Sequence, residues 1–224
     1  DGIGREVIDE GVRVLAALQP ELSMEWFDLG ADKYLAEGVT MPEGLMDRWR
    51  DEFDCIYLGA LGDPRVPNNV HAVDILLGAR FQLDLYINLR PIQLLDARYC
   101  PLKEKKPADI DIMVFRENTE GLYTGIGGQF KRGTPDEVAI EAEMNSRKGV
   151  ERIIRAAFEY AQTHGKQRVC MSDKSNAMRH GHDLWQRVFR EVASEYPSID
   201  AHHYFVDVLA MELVRCPEQF EVIA

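Results

Sequence analysis

Apolar residues recur along this chain with two alternating periods, and that alternation predicts its architecture. After the opening DGIG turn, Val7, Ile8, Gly11, Val12 and Leu15 keep a helical spacing. LSMEWFDL then alternates as a strand, and DCIYLGA is an unbroken apolar run of the kind a buried strand shows. HAVDILLGARFQLDLY is again helical in spacing. INLRPIQLL is extended, because a residue preceding proline is pushed out of the α region, and DIDIMVF is a third apolar strand. Further on, Val150 to Ala161 forms an amphipathic helix, RVCMS a strand, Asp183 to Tyr196 a helix and AHHYFVD a strand. The chain stops inside FEVIA, a strand by pattern with nothing evident to pair or cap it. Alternating helices and strands predict an α/β fold.

One segment breaks the rhythm. GIGGQFKRGTPDEVAIEAEMNS reads as a hairpin, with Val138, Ile140 and Ala142 alternating beyond a loose turn around Gly133 and Pro135. Such an insertion is either an arm that pairs with another subunit or a surface excursion.

Composition narrows the partners. No run reaches the roughly 18 apolar residues of a membrane span, and a net charge of −12 without a local basic cluster argues against nucleic acid and anionic membrane. Cys55, Cys100, Cys170 and Cys216 are far apart and lack zinc-ligand spacing, which predicts free thiols in a reducing, cytoplasmic setting. The chain begins at Asp1 without a methionine or leader, and pieces are expected to be missing from both ends.

Several residues could carry chemistry. Gly2 and Gly4 precede a helix whose free N–H groups could meet an anion or a cofactor amide, yet Val7 occupies the third position of a G-x-G-x-x-G fingerprint. Arg80, Arg90 and Arg116 stand at element ends and could converge on one cleft. Guanidinium groups bind carboxylates through paired planar hydrogen bonds, so the three would suit a substrate with two or more carboxylates; three unrelated salt bridges would also account for them. Lys174, in SDKSNAM, follows an apolar strand, where open α/β sheets keep ligand sites, and partly desolvated it could act as a base. Asp207 ends the YFVD run as a hard oxygen donor suited to Mg²⁺ or Mn²⁺. His180, His182, His202 and His203 do not chelate naturally at their spacings and read as solvated or core histidines.

DGIGREV, NLRP, VFRENTEGLYTG, SDKSNAM and VDVLAMELVRCPEQFEVI together resemble the β-decarboxylating dehydrogenases, the family of isocitrate, 3-isopropylmalate, homoisocitrate and D-malate/tartrate dehydrogenases. The resemblance covers the whole chain, and RENTEGLY and DKSN are its specific parts. It implies a two-domain α/β fold with a parallel or mixed sheet and an inserted β-hairpin arm. Residues 1–90 would belong to a cofactor-side domain completed by residues absent from this chain. Residues 91–224 would form the second domain, with the arm at about 125–146. It further implies NAD, a divalent Mg²⁺ or Mn²⁺, a small dicarboxylate substrate and a homodimer. Arg80, Arg90 and Arg116 become the carboxylate clamp, Lys174 the base that takes the hydroxyl proton, and Tyr123 the acid that protonates C3 after CO₂ leaves. Asp207 becomes a metal ligand, and Gly2, Ile3 and Asn176 become cofactor contacts. In the family Lys174 and Asp207 complete the neighbouring subunit's site, and two further metal aspartates and the adenine-binding loop lie beyond FEVIA.

By the same resemblance, the helix before Arg80 would read the variable group of the substrate. Asp74 and Leu76 stand where isocitrate enzymes carry Ser and Asn, which disfavours a third carboxylate. Leu76 and Leu77 offer an apolar wall to an isopropyl group, at about 0.8 kcal/mol per buried methylene. That favours 3-isopropylmalate, although Val73 stands where isopropylmalate enzymes usually carry an acid, and DPRVPNNV resembles the malate/tartrate branch. A non-catalytic regulatory or binding subunit is the alternative of another class, and such subunits tend to lose residues that are present here as Tyr123, Lys174 and Asp207.

Overall fold

A computed structural model describes all 224 residues. The chain divides into two compact units, Asp1–Leu85 and Tyr86–Ala224.

The first unit is helical. It contains α1 (Gly4–Leu18), α2 (Ala31–Glu37), α3 (Leu45–Glu52) and a helical run made of α4 (Val70–Ala72), a π turn (Val73–Leu77) and α5 (Gly78–Gln82). Leu45, Met46 and Trp49 on one face of α3 bury against Ile75, with Phe27 and Phe53 packed around them. Phe27 meets Trp49 edge-on at 6.0 Å and Phe53 at 5.5 Å. Two sequence expectations fail here. LSMEWFDL and DCIYLGA are irregular rather than strands, and much of the second is exposed, including Tyr57 at 53%. A strand is defined by the ladder it makes with a neighbour, and no strand of this chain pairs with either segment. The helical pattern predicted through Tyr86 also stops early, at Gln82.

The second unit holds a mixed five-stranded sheet in the order β1-β2-β7-β5-β6. Its strands are β1 (Ile87–Gln93), β2 (Asp111–Glu117), β5 (Arg168–Asp173), β6 (Asp200–Phe205) and β7 (Val222–Ile223), while β3 (Gly127–Phe130) and β4 (Val138–Glu141) form a separate hairpin. β1 runs antiparallel to β2, and every other pairing in the large sheet is parallel. FEVIA is therefore not an unpaired end: β7 sits in the middle of the sheet, bonded to β2 on one side and β5 on the other. Its partners lie some fifty and a hundred residues earlier, so no local pattern announces them.

The side-chain period of two divides the sheet's contents between its faces. Phe115, Val169, Met171 and Val222 bury against α6 (Arg147–Thr163) and α7 (Gly181–Ala193), which contribute Ile153, Ile154, Phe158, Val188 and Val192. Ile112, Cys170 and Ile223 bury in a second cluster with Phe220 and with Leu209 of α8 (Val206–Arg215). With both faces covered, the parallel strands read as near-continuous apolar runs. All four cysteines are free thiols, and burial pushes that of Cys170 up to about 12, which makes it inert.

Candidate functional site

The ladder between β1 and β2 orients the first group. Asn88 lies opposite Arg116 and Arg90 opposite Val114. Directly opposed residues share a face, as do residues two apart, so Asn88, Arg90 and Arg116 project from one side as direct and diagonal neighbours. Asn88 ties Arg90 to the turn beyond β2: its Oδ1 accepts from Arg90 Nε at 2.7 Å, and its Nδ2 donates to Oδ1 of buried Asn118 at 3.3 Å.

The RENTEGLY turn follows directly from β2. The Glu117 carboxylate accepts hydrogen bonds from the N–H groups of Thr119 and Glu120 and from the Thr119 hydroxyl, folding the chain back on itself. Gly121, at φ +76°, then makes the bend that delivers Tyr123. The guanidinium of Arg116 stacks over the Tyr123 ring, 4.9 Å from its centroid, so a cation at the end of β2 and a phenol seven residues on are brought together by one turn. The ring is 44% exposed.

A second group forms at the ends of β5 and β6. Lys174 follows β5 directly, and its ammonium pairs with the Asp207 carboxylate. The expectation that Asp207 closes a strand is corrected, because β6 ends at Phe205 and Asp207 lies in the first turn of α8. A carboxylate there complements the positive end of the helix dipole. Asn176 is exposed in the turn between Lys174 and α7.

Beneath this turn lies a network that sequence reasoning did not anticipate. Asp173, only 5% exposed, accepts from Ser175 N–H at 2.9 Å and from Gln186 Nε2 at 2.9 Å, and His203 Nε2 sits 2.9 Å from it. Burial alone would raise the Asp173 carboxyl, but these bonds together outweigh it and hold the group below the usual carboxylate range. His202, on the opposite face, has its pKa lowered by burial first of all. His182 is neither solvated nor part of the core: Nδ1 accepts from Lys174 N–H at 2.7 Å, and Nε2 faces Glu143 Oε1 at 3.1 Å.

The remaining candidates belong to the first unit. Leu76 and Leu77 are half-buried in the π turn, a rare geometry that re-aims helical side chains, and Arg80 follows in α5. Asp74 accepts from the Thr40 hydroxyl. Gly2 has φ +49° with open space around its Cα, while buried Gly4 packs against the backbone of Ala60. Ile3 precedes α1 without a side-chain cap. The DGIG turn is anchored by Asp1, whose carboxylate accepts from Ala31 N–H and Gly62 N–H and lies 2.7 Å from Nε2 of fully buried His71. Seventy residues separate that last pair, so sequence spacing could not reveal it.

A mixed sheet covered on both faces, a detached hairpin and a turn joining arginine to tyrosine define an α/β protein. A profile described as isocitrate/isopropylmalate dehydrogenase matches residues 1–224, and the chain belongs to that family. It is 40% identical to the 3-isopropylmalate dehydrogenase of Thermobifida fusca, covering 100% of this chain and 64% of that protein. The corresponding figures for the 3-isopropylmalate dehydrogenase of Corynebacterium efficiens are 44%, 100% and 65%, so the chain spans just under two thirds of these relatives. Among solved structures, the isocitrate dehydrogenase of Methylococcus capsulatus superposes with a TM-score of 0.79 at 28% identity, over 100% of this chain and 63% of that one. The TT0538 protein of Thermus thermophilus superposes at 0.77 and 33% identity, over 100% and 43%.

Proposed function

We propose that this chain carries substrate-binding and proton-transfer residues of an NAD-dependent β-decarboxylating dehydrogenase acting on a D-2-hydroxy diacid, with 3-isopropylmalate the preferred substrate. The observation that carries this reading is the stacking of Arg116 on Tyr123, on a turn that continues the strand ladder shared with Arg90. Arginines bind a carboxylate bidentately, and a phenol one short turn away is within reach of the carbon beside it.

In the proposed reaction Arg90 and Arg116 hold carboxylate groups, the role that the resemblance also gives Arg80. Lys174, once its ammonium has released its own proton to solvent, takes the C2 hydroxyl proton, and the dinucleotide, when bound, would accept the C2 hydride. The bond from C3 to its carboxyl group then breaks, CO₂ leaves, and the electron pair forms a C2–C3 enolate. Tyr123 gives its proton to C3, which leaves a 2-ketoacid.

The residues fit the two cofactors unequally. The open start of α1 and exposed Asn176 suit contacts to a nicotinamide amide, and Gly2 lets a ligand approach closely. For Mg²⁺ or Mn²⁺ this chain alone does not make a site. Asp207 is one suitable donor, it is paired with Lys174, and no three of the chain's His, Cys, Asp and Glu side chains gather as a metal site. An ion held here would need its remaining donors from outside these residues.

The half-buried Leu76 and Leu77 favour an isopropyl group over a third carboxylate. A homodimer in which β3–β4 serves as the arm and a cytoplasmic setting belong to the same proposal. No helix is long and apolar enough to cross a membrane. The test is formation of reduced dinucleotide by the full protein with Mn²⁺, comparing 3-isopropylmalate, D-malate, tartrate and isocitrate. Turnover of 3-isopropylmalate at the highest kcat/KM is expected. Preference for D-malate or tartrate would move the substrate to the other branch, and no turnover of any would leave a binding subunit as the better reading.

A further inference from the structure

The geometry points to His182 as a positioning residue for Lys174, acting with Glu143 as a strut between the return limb of the hairpin and the Lys174 turn. This rests on the reading of Lys174 as the base.

A backbone amide has only a proton to offer, so Nδ1 of His182, 2.7 Å from Lys174 N–H, must be the bare nitrogen. The ring proton therefore sits on Nε2 and donates to Glu143 Oε1 at 3.1 Å. Glu143 is held in turn. Its side chain is 16% exposed and its Oε2 is buried without a hydrogen-bond partner, so the His182 contact to Oε1 is the side-chain hydrogen bond that holds the carboxylate. The limb that carries it is pinned on both sides: Met144 bridges Gly121, two residues before Tyr123, and Asn145 Oδ1 accepts from Trp185 Nε1 at 2.8 Å. One three-residue segment thus braces both the Tyr123 turn and, through His182, the Lys174 turn. Asp207 holds the far end of the Lys174 side chain and His182 holds its root, which fixes a long side chain at both ends. A shift of about 1 Å in a reacting group can cost on the order of a hundredfold in rate, so a bond to the backbone of the base is felt in the chemical step rather than in substrate binding.

Two measurements on the full protein test the strut. In ¹⁵N-histidine-labelled protein His182 should show the Nε2-protonated tautomer, and exchange of the Lys174 amide should accelerate about tenfold or more in His182→Ala. Unchanged exchange would overturn the proposal whatever the activity. With the diacid that the wild type turns over, His182→Ala should lower kcat about tenfold or more while KM stays within about twofold. His182→Asn, whose Oδ1 can still accept from the Lys174 amide, should recover most of that loss. Equal losses in the two variants, or a loss that vanishes once rates are corrected for the folded fraction, would reduce His182 to an ordinary packing residue. If the wild type turns over none of the diacids, the functional reading falls, and the tautomer and exchange data decide the strut alone.

Discussion

The two units carry similar apolar patterns and use them differently. In Tyr86–Ala224 each strand predicted from an apolar run has a hydrogen-bonded neighbour, and fourteen buried residues form one cluster between the sheet and its helices. In Asp1–Leu85 two comparable runs remain irregular, and Met24, Trp26, Ile56, Tyr57 and Leu58 along them are exposed. These segments and α1 line an open cleft of about 780 Å³. An apolar run states a need for burial, and whether it becomes a strand depends on what pairs with it.

The sharpest way to break this comparison is to remove a large side chain from each unit. Phe158 of α6 is fully buried and stacks on Tyr196 and Phe189, with ring centroids 5.1 and 5.6 Å away. Phe158→Ala should cost about 3–5 kcal/mol, read as a lowered urea midpoint at unchanged slope. Trp26 is larger but 63% exposed, and Trp26→Ala should stay within about 0.5 kcal/mol. A loss at Trp26 as large as that at Phe158 would show that the first unit buries this face in solution and that the contrast is wrong.

A second effect is confined to the second unit and depends on pH. The Asp173 carboxyl is held low by bonds from Ser175, Gln186 and His203, against the opposing effect of its burial. A carboxyl lowered on folding stabilises the native state above its ordinary value of 3.8, and that contribution is lost as the pH falls from there through the folded value. Asp173→Asn should therefore flatten the acid limb of the unfolding midpoint of the second unit below about pH 4 and lower the midpoint at neutrality. An acid limb identical in wild type and variant would remove Asp173 from the account.

How much of this the sequence disclosed follows the same division. The helices on the sheet, Arg147–Thr163 and Gly181–Ala193, were legible because their apolar stripes bury locally against β2 and β5, and their ends fall within three residues of the pattern. β7 was legible as a strand but not as a central one, since its two ladders join distant segments. Asp207 was misread because the apolar run of β6 continues without a break into α8. For the site, motif resemblance named residues, and the register then set Arg90 and Arg116 on one face. It could not name the supports. Glu143, Gln186 and His203 carry no signal of their own, and His71 meets Asp1 only through the fold.

The smallest predicted effect separates helices rather than cores. α6 begins at Ser146, whose Oγ accepts from Gly149 N–H at 2.9 Å and donates to Glu120 Oε1, while its own N–H donates to Glu120 Oε2 at 2.7 Å. The cap thus ties the helix to the turn that carries Tyr123, and a Cβ on Gly149 would overlap the same carboxylate. α1 begins at Ile3 with no side-chain cap at all. Ser146→Ala should cost about 1 kcal/mol of stability, the usual penalty for losing a serine cap, whereas Ile3→Ala should stay within about 0.5 kcal/mol. Because Glu120 would lose both the hydroxyl it accepts from and the order of its turn, Ser146→Ala should also speed amide exchange at Gly121 more than at Val169 in the core strand. Uniform acceleration at both amides would mean that the cap stabilises the unit as a whole, and that the Tyr123 turn owes it nothing in particular.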